Sequence, residues 1–593
     1  MFRYNLILAV RNMLKYWRYT LINIVGLALG LACFFFIFLF IEDELQYDRF
    51  HDQADRIYRV NRWYNSQDVD ENAATCSFPC GPAIISDYPH LVESMVRIFD
   101  FQAPEMMIEY RSESDTIRYN EEWFYLADST VFEIFSFDFI DGDPKTALQR
   151  PNTIVISQKA AQKYFGNESP LGRKLILEEL VDMEVTGVFH DMPSQSHMRF
   201  EMLGSLSTYR MLQGRDVPDL LLGALTRHRQ HRPNRYPETW VWNPCWTYVL
   251  LREGVTPHQL EDQFLQFYKN NYHDFQNQNV TLYLQALTDI HLHSDHAYEM
   301  QKNSNMSYIY ILSVIALVIL FLASINFMNL TTANSFTRAR EIGMKKVYGG
   351  TRDKIIIQFL GETFAQTFMA LLLAGLVVEF ALPAFNDFTE KSIHSPLLLT
   401  PNTLITLPIL LAFVTLIAGV YPAFCLSRYQ PMALFKSQPV AANKTLNPRK
   451  IMVTGQFIIS TSLIIGSMMA FSQLDYLRRA KLGFQKDHII LFKNAGNLTE
   501  KYYDFKQELI RHPDIEYVTG MEDILGVNHN TRAYQVEGLR EGENYYIPTF
   551  LVDWDFMEAF RIPLLEGRSF THDEPGDIRS EEHTSELQSL LII

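Results

Sequence analysis

The residues best equipped for chemistry fall at two places. DIHLHSDH brings together His291, His293, Asp295 and His296. Imidazoles and carboxylates are good metal ligands, and histidines two apart share one face of a strand. Histidines in an exported stretch are more often plain surface or strand-end residues, and no cysteine/histidine set has zinc spacing, so no metal is expected. The second place is REIGMKKVYGG, residues 340–350, about a dozen residues after a long apolar run. A membrane flank needs positive charge, which Arg338, Arg340, Lys345 and Lys346 supply. It does not need Glu341 or the closing Gly349 and Gly350. Glu341 and Lys345 stand i,i+4 and can pair along a helix. Ile342 and Val347 offer apolar anchors on either side of Gly343, while Arg340 and Lys346 can meet acids on a partner. The two glycines stop the helix and let the chain turn. These are the parts of a docking element. A catalytic set is missing: there is no GxxxxGK[ST], GxSxG or HExxH, so the chain reads as no enzyme.

Apolar runs position this segment. A bilayer core takes about 20 mostly apolar residues per helix, and five runs qualify: 20–41, 308–332, 363–385, 404–427 and 452–472. Arg3, Arg11, Lys15 and Arg18 precede the first run and Glu42, Asp43, Glu44 and Asp48 follow it, which puts the N-terminus in the cytoplasm. Residues 42–307 are then exported, 333–362 and 428–450 cytoplasmic, and the chain beyond 473 exported again. Residues 1–19 carry an apolar stripe (Phe2, Leu6, Ala9, Met13, Trp17) among the basic residues, as an interfacial helix would. An ordinary basic flank explains them equally well. Glu379 is the one ionisable residue well inside the runs, so an ion-coupled drive is not expected.

The 593-residue chain exceeds one compact domain, and its net charge of −16 argues against nucleic acid as a partner. Mean hydropathy is near zero because the apolar residues are bunched. Of five cysteines, Cys33 and Cys425 lie in apolar runs. Cys76 and Cys80 lie in the exported loop, where they form a disulfide if the backbone permits, or remain two thiols. RHRQHRPNR, 227–235, reads as a solvated basic loop, with contact to anionic lipid the alternative.

Segment 42–307 is long enough to be a folded domain. It mixes strand patterns (DMEVTGVF, TWVW, WTYVLL, VTLYLQAL) with helix patterns (SQKAAQKYF, HQLEDQFLQFYK), so α/β or α+β is expected. Ser157 is a candidate N-cap and Gly166 a candidate helix stop. Residues 128–142, DSTVFEIFSFDFIDG, match 553–567, DWDFMEAFRIPLLEG, in aspartate, glutamate, phenylalanine and final glycine. The expected architecture is therefore an α-helical integral membrane protein with large exported α/β domains, tandemly duplicated, whose second domain occupies 473–578 and is incomplete. Residues 579–593 continue none of the pattern and are expected to be non-native sequence.

Several stretches together resemble the MacB/FtsX family of ABC-transporter permeases. They are NTIVISQKAAQKYFGNESPLGRKL (152–175), VTGVFHDMPSQSHMRFEML (185–203), SINFMNLTTA (324–333), RAREIGMKKVYGGTRDKIIIQFLGE (338–362) and AGVYPAFCLSRYQPMALFK (418–436). The resemblance implies a MacB-like periplasmic core domain and an FtsX-like permease module in the inner membrane. It also implies a separate ATPase subunit that binds ATP and Mg²⁺, docked on 340–350, with no cofactor in this chain. Export or efflux, lipoprotein release, and mechanotransmission to a cell-wall hydrolase or an antibiotic sensor are the functions it allows. A membrane-fusion protein or other periplasmic partner, and a homodimer or an internal pseudo-two-fold unit, are the assemblies.

Overall fold

The computed structural model describes residues 11–65, 70–99, 105–112, 116–212, 240, 242–272, 280–348, 351–393, 401–427, 448–480, 482–492, 502–521, 524–525, 530–534 and 545–570. In chain order the helices are α1 (Trp17–Leu45), α2 (Cys80–Asp87), α3 (Val131–Ile134), α4 (Gln158–Phe165), α5 (Ser207–Leu212), α6 (Pro257–Asn271), α7 (Ile290–His293), α8 (Met306–Val347), α9 (Arg352–Thr389), α10 (Pro401–Ser427), α11 (Pro448–Arg479), α12 (Tyr502–Ile510) and α13 (Phe556–Ala559). The chain folds as two compact units, Met1–Tyr47 with Ser304–Arg479, and Asp48–Asn303 with Ala480–Ile593.

Helices α1, α8, α9 and α10 build the first unit around Leu27, Ala28, Leu31, Ala32, Phe327, Ala370, Ala374, Val414 and Ala418. Small residues let membrane helices approach closely where lipid offers no hydrophobic drive. The closest approach is at Gly30, where an added Cβ would stand 2.4 Å from that of Ala323. Gly26, four residues earlier, is looser, with its nearest neighbour at 3.7 Å. Among the described residues, five segments are long and apolar enough to cross a membrane: Trp17–Leu45, Met306–Ala333, Arg352–Thr389, Ile405–Phe424 and Lys450–Arg479.

Two helices run further than their apolar runs. The span expected at 308–332 is the first part of α8, which continues unbroken to Val347, 42 residues in all. Good helix formers (Arg338, Arg340, Glu341, Met344, Lys345) extend it through the polar segment. Helix α9 begins at Arg352, about three turns before the apolar run, and therefore includes Glu362, which is buried. The helix thus carries Arg352, Asp353, Lys354 and Glu362 ahead of the apolar run, and of these Glu362 is the buried one.

In the second unit, strands β1 (Ile57–Asn65), β2 (Asp70–Ala73), β3 (Val92–Phe99), β4 (Met106–Arg111), β5 (Thr116–Glu121), β6 (Phe124–Ala127), β7 (Phe139–Gly142), β8 (Thr153–Ser157), β9 (Lys174–Leu177), β10 (Val181–Phe189), β11 (Met202–Ser205), β12 (Cys245–Leu251) and β13 (Val280–Ala286) share one sheet. Its order is β13-β1-β12-β3-β6-β11-β8-β10-β9-β4-β5, with β2 on β1 and β7 on β10. The central strands β8 and β12 are buried at every position, which is why TIVIS and CWTYVLL are continuous rather than alternating apolar runs. Strand β8 leads through α4 into parallel pairing with β10. Ser157 caps α4, its side chain accepting from Ala160 N, and Gly166 closes it, both as expected. Only Trp240 and Trp242 of the TWVW pattern are described, and neither lies in a strand.

The 128–142 and 553–567 segments adopt the same local form. Asp128 N donates to Arg97 O and Asp553 N to Gly520 O; helices α3 and α13 follow each aspartate. The final glycines, Gly142 and Gly567, have φ of +91° and +88°, a conformation that costs other residues energy. Each aspartate also holds a cation: Arg97 on Asp128 at 2.8 Å, Lys506 on Asp553 at 2.7 Å.

Candidate functional site

Residues 340–347 of the segment expected to dock a partner form the last turns of α8. Lys345 and Lys346 sit at its C-terminal end, where cations complement the helix dipole. Both are already engaged within the unit. Lys346 Nζ donates to Ser427 O at the end of α10, 2.6 Å away, and so serves one of the carbonyls that a helix end leaves open. Arg352 at the start of α9 donates to Ser427 Oγ (3.1 Å) and stacks over Phe424. Lys345 Nζ donates to Gln358 Oε1 (3.3 Å), and Gln358 in turn to Glu362 Oε1 (3.0 Å). Three helix ends are thereby tied into one corner, with α8 and α9 joined by residues 348–351.

Among the described residues, the end of α8 presents an apolar face outward, beside the exposed Arg352, Asp353 and Lys354 at the start of α9. Met344, Val347 and Tyr348 are 56 %, 65 % and 85 % exposed, and their i, i+3, i+4 spacing puts them on one helical face. Val347 was expected as an anchor; Met344 and Tyr348 were missed, although that spacing is visible in the sequence. Gly343 is buried beneath them. The helix includes Arg338, Arg340, Glu341 and Ile342, but their side chains, and Gly349 and Gly350 altogether, lie outside the described residues. Lys346, expected to face a partner's acid, instead braces the corner.

Elsewhere in the same unit, Asp43 and Glu44, the acids that follow the first apolar run, belong to an ionic brace. Lys391 Nζ, beyond the end of α9, stands 2.8 Å from Asp43 Oδ2 and donates to Glu44 Oε1 (2.6 Å) and Tyr47 OH (3.2 Å). Its ammonium also lies over the Phe40 and Tyr47 rings. Burial alone would lower the lysine, but the two carboxylates hold it above its ordinary value. The loop after α9 is thereby fastened to the end of α1.

A third polar assembly closes the exported unit on itself. Asp48, the unit's first residue, accepts from His197 N and Ser196 Oγ, and its Oδ2 lies 2.9 Å from His197 Nδ1. His197 Nε2 and Tyr248 OH are 2.7 Å apart. Beyond, Arg59 grips Glu299 with two hydrogen bonds of 2.6 and 2.7 Å, and Gln285 and Ser294 accept from it as well. Burial would raise Glu299, but hydrogen bonds from His296 and Arg59 hold it down to about 2. Burial pushes His51, beside Asp48, down to about 4. The network joins the two ends of the Asp48–Asn303 stretch with nearly every member buried, so its chemistry is structural rather than catalytic.

The remaining candidates resolve individually. His291 and His293 lie on the short helix α7, not on a strand; one is buried and the other exposed, so they do not share a face. A run of three apolar-polar alternations is too short to fix the period. His296 instead bonds Tyr283 and Ser294. Cys76 and Cys80 are separate buried thiols. Cys76 Sγ donates to Val60 O, and its backbone pairs with Cys245. A hydrogen bond with Cys76 and burial together push the Cys80 thiol well up, away from thiolate reactivity. The basic stretch 227–235 and the linker 428–447 lie outside the described residues, as does 579–593.

Two family models match the chain. One, described as MacB-like periplasmic core domain, covers residues 20–267. The other, described as FtsX-like permease C-terminal, covers 313–431 and so includes the corner formed by α8, α9 and α10. No curated protein matches. Among solved structures, a domain of a protein described as a permease from Porphyromonas gingivalis is 21 % identical at a TM-score of 0.31, over 40 % of this chain and 91 % of its own. The periplasmic region of MacB from Actinobacillus actinomycetemcomitans is 10 % identical at 0.25, over 40 % and 91 %. The extracellular domain of the noncanonic ABC-type transporter YknZ from Gram-positive bacteria is 14 % identical at 0.25, over 39 % and 99 %.

Proposed function

We propose that this chain, which belongs to the MacB/FtsX family of ABC-transporter permeases, receives its drive on the Met344–Val347–Tyr348 face of α8 and delivers it to the exported domain. It is an inner-membrane protein with a periplasmic domain, and permeases of this family work with an ATPase held in a partner subunit. The observation that carries the reading is the apolar face itself: exposed, set on a helix end braced by Lys346 and Arg352, and within the FtsX-like segment. An amphipathic helix end of this kind seats in a hydrophobic groove. Helix α8 has no proline and one glycine, near its end, so about 63 Å of helix moves as one rod. In the chain, α8 begins a few residues after Glu299 and α1 ends just before Asp48, so both helices lead directly into the exported domain.

In this reading the N-terminus, the α8–α9 junction and the 428–450 linker are cytoplasmic, and residues from about 480 begin a second exported domain related to the first by duplication. The work delivered outside serves export or efflux of periplasmic cargo, or mechanotransmission to a periplasmic partner. The test pairs the full-length protein in detergent with the ATPase encoded beside it. Wild type should bind and change the ATPase rate. Val347→Asp with Tyr348→Asp should remain folded and lose both effects by at least tenfold. A double variant that couples like wild type would move the docking site to 428–450.

A further inference from the structure

Within the first unit, a cavity of about 40 Å³ lies between the start of α1, the middle of α8 and the first half of α9, lined among others by Asn12, Asn23, Thr331, Glu362, Thr363 and Gln366. By the ~10–15 Å³ that each needs, two or three water-sized groups fit. The lining includes a carboxylate and two buried amide oxygens. Glu362 already receives Asn12 Nδ2 (2.7 Å) and Gln358 Nε2. Asn23 is 7 % exposed; its Nδ2 donates to Thr331 Oγ1, and its Oδ1 has no partner among the described residues. Gln366 Oε1 is likewise buried without a donor. A buried acceptor left without a donor is costly, so the site calls for a donating group.

We infer that this cavity binds a primary alkylammonium group. An ammonium carries three donors and no acceptor, which complements a carboxylate and two amide oxygens. A guanidinium or a quaternary ammonium is bulkier, and the quaternary group has no N–H to give. The surroundings favour a lipid as its source. Trp17 and Tyr19 are exposed beside the cavity, as aromatic side chains are at a membrane–water interface. Leu21 and Ile22 are exposed just beyond them, toward the apolar part of α1. Arg11, Lys15 and Arg18 are exposed on the same stretch and suit a phosphate. An ammonium in the cavity with its phosphate on these cations is an ethanolamine phospholipid headgroup; a free amine shares only the first half. The site bears on the proposed coupling because Gln358 links Glu362 to Lys345, but the binding itself does not depend on that reading.

The test is retention of lipid by the full chain, measured by native mass spectrometry after extraction from nanodiscs of phosphatidylethanolamine and phosphatidylglycerol in equal parts. Wild type should keep one phosphatidylethanolamine. Glu362→Gln should weaken retention at least tenfold, Gln366→Leu severalfold, and Glu379→Gln, on the same helix, not at all. Phosphatidylcholine in place of phosphatidylethanolamine should not be kept. If no lipid is kept but ethanolamine binds the protein in phosphatidylglycerol discs, with the same sensitivity to Glu362→Gln, the ammonium site stands and its source is free amine. Equal retention of phosphatidylglycerol, retention indifferent to Glu362 and Gln366, or binding of neither amine would overturn it, leaving a hydrated cavity. Gln366→Leu keeps the experiment decisive should Glu362→Gln fail to fold.

Discussion

Replacing Lys391 with methionine isolates the brace between the α9 end and α1. The lysine side chain is 9 % exposed and its two acids, Asp43 and Glu44, 3 % and 4 %. Methionine preserves most of the stem and its contact with Phe40 and Tyr47, but leaves two carboxylates deprived of the cation between them. Breaking a buried ion pair by removing one partner costs about 3–5 kcal/mol. With two acids affected at once, the upper part of that range, about 4–5 kcal/mol, is expected. Asp43→Asn alone should cost only about 1–2 kcal/mol, because Glu44 still compensates the ammonium. Lys391→Met combined with Asp43→Asn and Glu44→Gln buries no charge and should recover all but about 1–2 kcal/mol of wild-type stability. The pH dependence has a definite sign. A lysine raised in the folded state contributes fully below its ordinary pKa and loses that contribution only as pH climbs past it, so the gap between wild type and Lys391→Met should be constant from about pH 7 to 9. The assay is SDS-titrated unfolding of the full chain followed by circular dichroism. A Lys391→Met loss under about 1 kcal/mol would refute the reasoning. So would a neutralised triple variant as unstable as the single one.

Acid should loosen the exported unit through His51 and Glu299. His51 is held neutral at about 4 and so contributes fully above its ordinary 6.5, losing about 3 kcal/mol as pH falls to 4. Glu299, depressed to about 2, begins to lose its contribution only below about 4.5. Thermal midpoints measured between pH 7 and 4 should therefore fall, and His51→Gln should flatten that slope. Gly30→Leu should force α1 from α8 and cost about 1–3 kcal/mol in the same SDS titration, whereas Gly26→Ala should cost far less. Lys346→Ala should free the last carbonyls of α10, lowering stability by about 1–2 kcal/mol and blunting ATPase stimulation without abolishing binding.

What could be read from the sequence was what repeats locally. The apolar runs announced their helices because 20 residues without charge have few other homes. Ser157 and Gly166 announced α4 because capping chemistry lies within a few residues of the element it ends. DMEVTGVF, WTYVLL and VTLYLQAL became β10, β12 and β13 for the same reason. Hidden from view were partnerships at long range. Asp43 and Glu44 read as charges on the outer side of a span, and nothing nearby in sequence pointed to Lys391, nearly 350 residues away. Glu362 read as the edge of a loop, since the helix that carries it starts before the apolar run does. Cys76 and Cys80 read as a potential bridge because spacing shows proximity but not what else competes for each thiol.

Segment 340–350, expected to dock a partner, shows the same division within eleven residues. Its charges were visible, and the simplest expectation sends them to the partner. In the fold Lys346 and Arg352 are drawn instead to Ser427, because the C-terminal end of α10 offers carbonyls that no helix bond can satisfy. With Lys346 bracing the corner, the exposed apolar side chains described at the end of α8 are Met344, Val347 and Tyr348. Recognition by an apolar face is less dependent on salt than recognition by charge, since screening acts on exposed ions and scarcely on apolar burial. Binding of the ATPase should therefore persist, within about threefold, from 50 to 500 mM sodium chloride if this face carries it. A loss of a hundredfold over that range would return the docking to the basic residues and leave the apolar face to lipid.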